Sequence, residues 1–75
     1  MINKIKNKMK NQIGSRITHL REGLNISFDE LAERAAITRE QLEEIEKNNV
    51  IPSLAPLLRI ARVLGVRLGT FMEDY

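Results

Sequence analysis

Two helix-start signals stand only eleven residues apart in the middle of this chain, and that spacing restricts the fold more than any other feature. Ser27-Phe28-Asp29-Glu30 has a hydroxyl to cap free backbone N–H groups and a carboxylate three residues on to answer it, the pattern of a capping box. Thr38-Arg39-Glu40-Gln41 repeats the pattern. Ile26 with Leu31, and Ile37 with Leu42, stand where hydrophobic staples fix the angle of chain entry. The first of these helices must be short, because Ala36-Ile37-Thr38 already starts the next. Two short helices separated by three residues cannot lie antiparallel along each other, so they cross at a large angle. Small Ala32 and Ala35 let them approach closely.

The remaining apolar residues recur at helical spacing and surround this pair with further helices. Ile13, Ile17, Leu20 and Leu24 form one face of a first helix, which Gly23 and Asn25 terminate. Ile2, Ile5 and Met9 continue the stripe upstream, so residues 1–12 are either an extension of that helix or a separate basic arm. Phe28, Leu31, Ala32 and Ala35 give the second helix its buried face, and Leu42 and Ile45 give the third, about 39–47, its own. Asn48-Asn49 stops the third helix, since Asn tolerates the left-handed conformation that ends helices. Ser53 is the expected cap of a fourth helix with Pro56 in its first turn, where a missing N–H costs little. Leu57, Leu58, Ile60, Ala61 and Leu64 are its expected core face, and Gly65 its end. A weak fifth helix is expected from Val66 to about Glu73, with Leu68, Phe71 and Met72 inward and Gly69 lowering its propensity. Phe71, Met72 and Tyr75 fit either the core or a dimer contact. The predicted fold is all-α with five helices in one domain, residues 13–75.

The inventory excludes most chemistry. With 75 residues the core is small, so function sits on the surface. There is no cysteine, hence no disulfide and no thiolate zinc site. His19 is the sole histidine, mid-helix, and reads as a solvated residue. Asp29 with Glu33, or Glu40 with Glu44, puts two carboxylates on one helix face, but neither pair has a histidine partner or a pocket. No enzyme, metal or cofactor is expected. No apolar run approaches the ~20 residues that span a bilayer, and no signal peptide is apparent, which fits a cytoplasmic protein. The net charge of +2 is unevenly spread: +4 over residues 1–12, +1 over 13–26, −4 over 27–48 and +1 over 49–75. The lysine-rich start reads as a solubilising tail or as an arm toward DNA or a second subunit.

Over residues 13–72 the chain resembles the phage-repressor, Cro-like (XRE-type) helix-turn-helix family. The resemblance lies in Ile13-Gly14-Ser15-Arg16-Ile17, Leu20-Arg21, Leu31-Ala32-Glu33-Arg34-Ala35, Ile45-Glu46, Pro52-Ser53 and Ile60-Ala61-Arg62-Val63-Leu64-Gly65-Val66. Each segment is weak alone, and their order and spacing carry the assignment. Leu54-Ala55-Pro56-Leu57-Leu58 through Leu68-Gly69-Thr70-Phe71 looks most like regulators with a small-molecule-sensing cupin barrel downstream, a domain outside this chain. The resemblance implies a lambda-repressor-like domain that binds double-stranded DNA as a homodimer on a two-fold operator, to regulate transcription. Its third helix would lie in the major groove, with its early residues on base edges. The implied readers are Thr38, Arg39, Glu40, Gln41, Glu43 and Glu44. Arg39 would grip guanine and Gln41 adenine, with the glutamates accepting from cytosine. Phosphates would meet the helix starts at Ser27, Phe28 and Ser53, with Lys47, Asn48 and Asn49 nearby. Arg21 and Glu46 would form a structural ion pair.

Two departures from the family pattern stand out. Phe28 takes a place where many members have a glutamine, and cannot hydrogen-bond. The groove-facing helix carries three acids besides Glu46, where members have neutral or basic residues. Arg39 can be a DNA contact or a solvated partner of Glu43 one turn on. An acidic third helix also fits a protein-interaction module that keeps the fold without binding DNA.

Overall fold

The computed structural model describes residues 2–72 of the chain, with the side chains of 13–71. Helix α1 spans Ile2–Gly23, α2 Phe28–Arg34, α3 Arg39–Glu46 and α4 Leu54–Leu64, and a 3-10 helix, Leu68–Met72, follows. The fifth helix is thus a tight 3-10 turn where the sequence suggested α. Its backbone closes with the Thr70 N–H donating to the Arg67 carbonyl at 2.9 Å. Such turns come in short pieces, and Gly69 in its middle disfavours continuation as α. The expected end at Glu73 and the contact at Tyr75 lie outside the described residues, as does the side chain of Met72.

All four α-helices end the same way. The N–H of Ile26, Ile37, Asn49 and Val66 reaches back to the carbonyl of Arg21, Ala32, Glu44 and Ala61, at about 3.0 Å in each case. This is the Schellman closure, and it needs one left-handed residue per helix. Those residues are Asn25 (φ 59°), Ala36 (φ 57°), Asn48 (φ 64°) and Gly65 (φ 72°). Asn and Gly suit the conformation. Ala36 does not, and the turn between α2 and α3 holds it there.

The starts are less uniform. At α3 the capping box is complete. At α2 only half of it forms: the Ser27 hydroxyl accepts from the Glu30 N–H at 3.0 Å, while the Glu30 carboxylate turns forward to Arg34 at 2.7 Å. At α4 Ser53 has the extended backbone of a cap, but its hydroxyl makes no cap hydrogen bond.

The core draws on every element. Ile17, Leu31, Leu42 and Ile60, one from each α-helix, are fully enclosed, and Phe71 of the 3-10 turn closes one end at 2% exposure. Phe71 is therefore core. Buried Ala32 and Ala35 let α2 pack against both α3 and α4. Two expected core residues depart from this pattern. Leu24 lies past the end of α1 and is 51% exposed, and Leu58 is turned outward on α4 at 38%, while Phe28 is half-buried and packs against the core. Polar ties complete the assembly. The Arg16 guanidinium donates to the Thr70 carbonyl at 2.8 Å. Arg59 of α4 donates to the Ala35 carbonyl at 2.7 Å, satisfying a carbonyl that the end of α2 leaves without an intrahelical partner. No helix among the described residues is long and apolar enough to cross a membrane.

Candidate nucleic-acid interface

The third helix is tied to α1 at one end and capped by its own residues at the other. Its C-terminal end is locked to α1. The Gly14 N–H donates to Asn48 Oδ1 at 2.9 Å, and Asn48 Nδ2 donates to Ser15 Oγ at 3.3 Å. A side chain at position 14 would run into the Ile45 carbonyl and the Asn48 carboxamide. Glycine is what lets α1 meet the end of α3 so closely. Beside this contact, Arg21 Nε and Nη2 donate to the two oxygens of Glu46 at 2.8 and 3.2 Å, and Arg21 Nη1 donates to the Ile26 carbonyl at 3.0 Å. Both side chains of this pair are nearly enclosed, at 12% and 11% exposure. Hydrogen bonding to Glu46 raises the Arg21 pKa, against the opposing effect of burial.

At its other end α3 starts from Thr38. The Thr38 hydroxyl accepts from the Gln41 N–H at 3.0 Å, and Gln41 Oε1 accepts from the Thr38 N–H at 2.9 Å. Arg39 follows on the outside at 71% exposure. Its Nη1 lies 3.0 Å from Asp29 Oδ1 on α2, and its guanidinium carbon lies 5.9 Å from the centre of the Phe28 ring. Arg21 approaches the same ring to 5.9 Å.

Four of the seven acids of α2 and α3 are matched. Asp29, Glu30, Glu43 and Glu46 each pair with a cation: Arg39, Arg34, Lys47 and Arg21. The Lys47 hydrogen bond at 2.8 Å holds the Glu43 carboxyl below its ordinary pKa and raises Lys47 in turn. Glu44 accepts weakly from Asn49 at 3.4 Å. Glu40 and Glu44 also line an open groove of about 370 Å³ with Gln41, Val50, Ile51, Pro52 and Ser53. Val50, Ile51 and Leu54 are exposed apolar residues near its wall.

The sequence-predicted residues therefore fall into three groups. Thr38, Arg39, Glu40, Gln41, Glu43 and Glu44 share the exposed side of α3, with Ser27 and Phe28 near its start and Ser53 across the groove. Lys47 and Asn49 are exposed just past its end. Asn48 is set apart, since its carboxamide is engaged by α1. Two things escaped sequence reasoning: Asp29 as the partner of Arg39, in place of Glu43, and the Gly14–Asn48 lock. The first joins residues across the turn, beyond any one-turn spacing rule. The second left one trace, a glycine in the interior of an otherwise regular helix. Among the described residues no cluster of three metal-ligating side chains occurs.

A helix-turn-helix domain model matches residues 14–75. The HTH-type transcriptional regulator SinR of Bacillus subtilis is 35% identical over 63 residues, covering 83% of this chain and 57% of that protein. The immunity repressor of Bacillus phage phi105 is 32% identical over 62 residues, 83% of this chain and 43% of the repressor. The chain thus spans about half the length of these curated relatives. Among solved structures, SinR in complex with DNA superposes with a TM-score of 0.76 at 36% identity, over 80% of this chain and 97% of that one.

Proposed function

This chain belongs to the XRE-type helix-turn-helix family, and from that premise we propose that it binds double-stranded DNA sequence-specifically as a transcriptional regulator, with α3 in the major groove. The observation that carries the proposal is α3 itself. It is anchored to α1 at its C-terminal end by Arg21–Glu46 and Gly14–Asn48, and it turns an exposed arginine outward at its first position. A solved relative, SinR, is itself in complex with DNA. Pairing of Asp29, Glu30, Glu43 and Glu46 with cations offsets part of the repulsion that acids meet near phosphates, while Glu40 and Glu44 on α3 have no cation partner among the described residues. Arg39 reads a base, with Thr38 and Gln41 beside it. The Gln41 oxygen, which accepts the Thr38 N–H, has a second lone pair and its amide nitrogen two donors for adenine. Ser27, Ser53, Lys47 and Asn49 serve the phosphates. The free hydroxyl of Ser53 at the start of α4 suits that role.

The same proposal includes a homodimer on a two-fold operator, with half-sites about one helical turn apart. It also includes the downstream sensor domain that the resemblance implies, and a cytoplasmic location. Selection of random duplex DNA by the purified chain tests it. Enrichment of a two-fold motif is the expected outcome, and Arg39→Ala should then flatten the preference at one base pair. An unchanged motif in that variant would remove Arg39 from the readout. A second reading, a protein-interaction module, is favoured by the groove that joins Glu40 and Glu44 to exposed Val50 and Ile51. Absence of both enrichment and salt-dependent DNA binding would select it.

A further inference from the structure

We infer that Asp29 and Phe28 are positioning residues for Arg39, which hold its guanidinium in the orientation that reads guanine. The inference rests on the DNA-binding reading above and adds two residues that do not themselves touch a base. Phe28 occupies the first position of α2 and cannot hydrogen-bond, so as a DNA contact it has little to offer. In the fold it does something else. Two guanidiniums approach its ring, each 5.9 Å from its centre. One of them, Arg21, is immobilised by two hydrogen bonds to Glu46 and one to the Ile26 carbonyl. The half-buried ring packs against the core and offers a platform, and cations are attracted to such a face. The second guanidinium, Arg39, rests near that platform while Asp29 holds its Nη1 at 3.0 Å.

Arginine has five N–H donors in a planar fork. Asp29 engages the group through Nη1, which leaves further donors for an acceptor pair. Guanine O6 and N7 form such a pair in the major groove. A guanidinium already oriented loses less rotamer freedom when it meets them. The magnitude is bounded by exposure: Arg39 and Asp29 are 71% and 65% exposed. A pair this open contributes at most about a fivefold bias, since solvent screens it. Asp29 also carries a charge that DNA repels, so its removal should leave overall affinity unchanged or raise it. Its effect belongs in base preference.

The test uses the motif enriched by the parent chain, with all four bases placed at the pair whose preference Arg39→Ala flattens. Asp29→Asn should lower the preference at that pair two- to fivefold and leave the other positions alone. Phe28→Leu should act at the same pair. In an Arg39→Ala background, Asp29→Asn should change nothing there, which is the coupling expected of residues that act through one another. Equal weakening at every position, or no change at any, would overturn the inference and leave the DNA reading standing. A second readout needs no DNA. The Arg39 Nε–H resonance should report a more ordered side chain than that of Arg62, which is exposed on α4, and should lose that order in Asp29→Asn. Equal mobility of the two arginines in the parent chain would also overturn the inference. A chain that enriches no sequence would overturn both readings together.

Discussion

Two single-residue substitutions should act with signs opposite to the ordinary rule. Glycine inside a helix is normally worse than alanine by about 0.5–1 kcal/mol. At position 14 the added methyl meets the Ile45 carbonyl and the Asn48 side chain, so Gly14→Ala should destabilise by about 1–3 kcal/mol. Conversely, Ala36 sits at φ 57°, where an L side chain costs roughly 1–2 kcal/mol. Ala36→Gly should therefore stabilise by about 0.5–1 kcal/mol. Urea unfolding of both variants checks both signs, and a more stable Gly14→Ala would refute the tight α1–α3 contact. Loss of either member of the enclosed Arg21–Glu46 pair leaves a charged group without its hydrogen bonds. Either change should cost about 1.5–3 kcal/mol, and the double substitution less than the sum of the two.

The helices themselves offer a series. Thr38, Ser27 and Ser53 look alike in the sequence, each a small hydroxyl residue before an apolar run. In the structure the Thr38 and Ser27 hydroxyls each accept one backbone N–H at 3.0 Å, and the Ser53 hydroxyl makes no cap bond. Thr38→Ala and Ser27→Ala should each cost about 1 kcal/mol, and Ser53→Ala almost nothing in thermal denaturation. Equal losses at all three positions would contradict the capping geometry. The same series marks how far the sequence could be read. Helix positions follow from apolar period and stop signals, which are local, so α1 to α4 fall where Ile17, Leu31, Leu42 and Ile60 place them. The exposed reading side of α3 follows from the same period. What stayed hidden is what distance in space decides: whether Glu30 answers Ser27 or Arg34, that Asp29 reaches Arg39 across the turn, and that Asn48 is occupied by α1. The left-handed Ala36 was equally invisible, because its conformation comes from the closure of α2 onto α3 and not from its own preference.

Across the whole molecule, charge and symmetry carry the remaining predictions. The middle of the chain keeps a net charge of −4 over residues 27–48, while residues 1–12 carry a charge of +4 and no acid. Replacing Lys4, Lys6, Lys8 and Lys10 with glutamine should lower the salt dependence of DNA binding, by roughly 0.9 in the logarithmic slope for each phosphate no longer neutralised. Base preference should stay as it is. An unchanged slope would make that segment a solubilising tail. Specific recognition depends above all on α3 being the element that enters the groove. The most direct test is to titrate the isotopically labelled chain with its selected duplex and follow the backbone amide resonances. The expected result is that the largest shifts fall at residues 38–44, with a second group at the starts of α2 and α4, while the 3-10 helix at 68–72 is unmoved. Shifts centred on the 3-10 helix and α1, with α3 silent, would contradict a groove-bound α3.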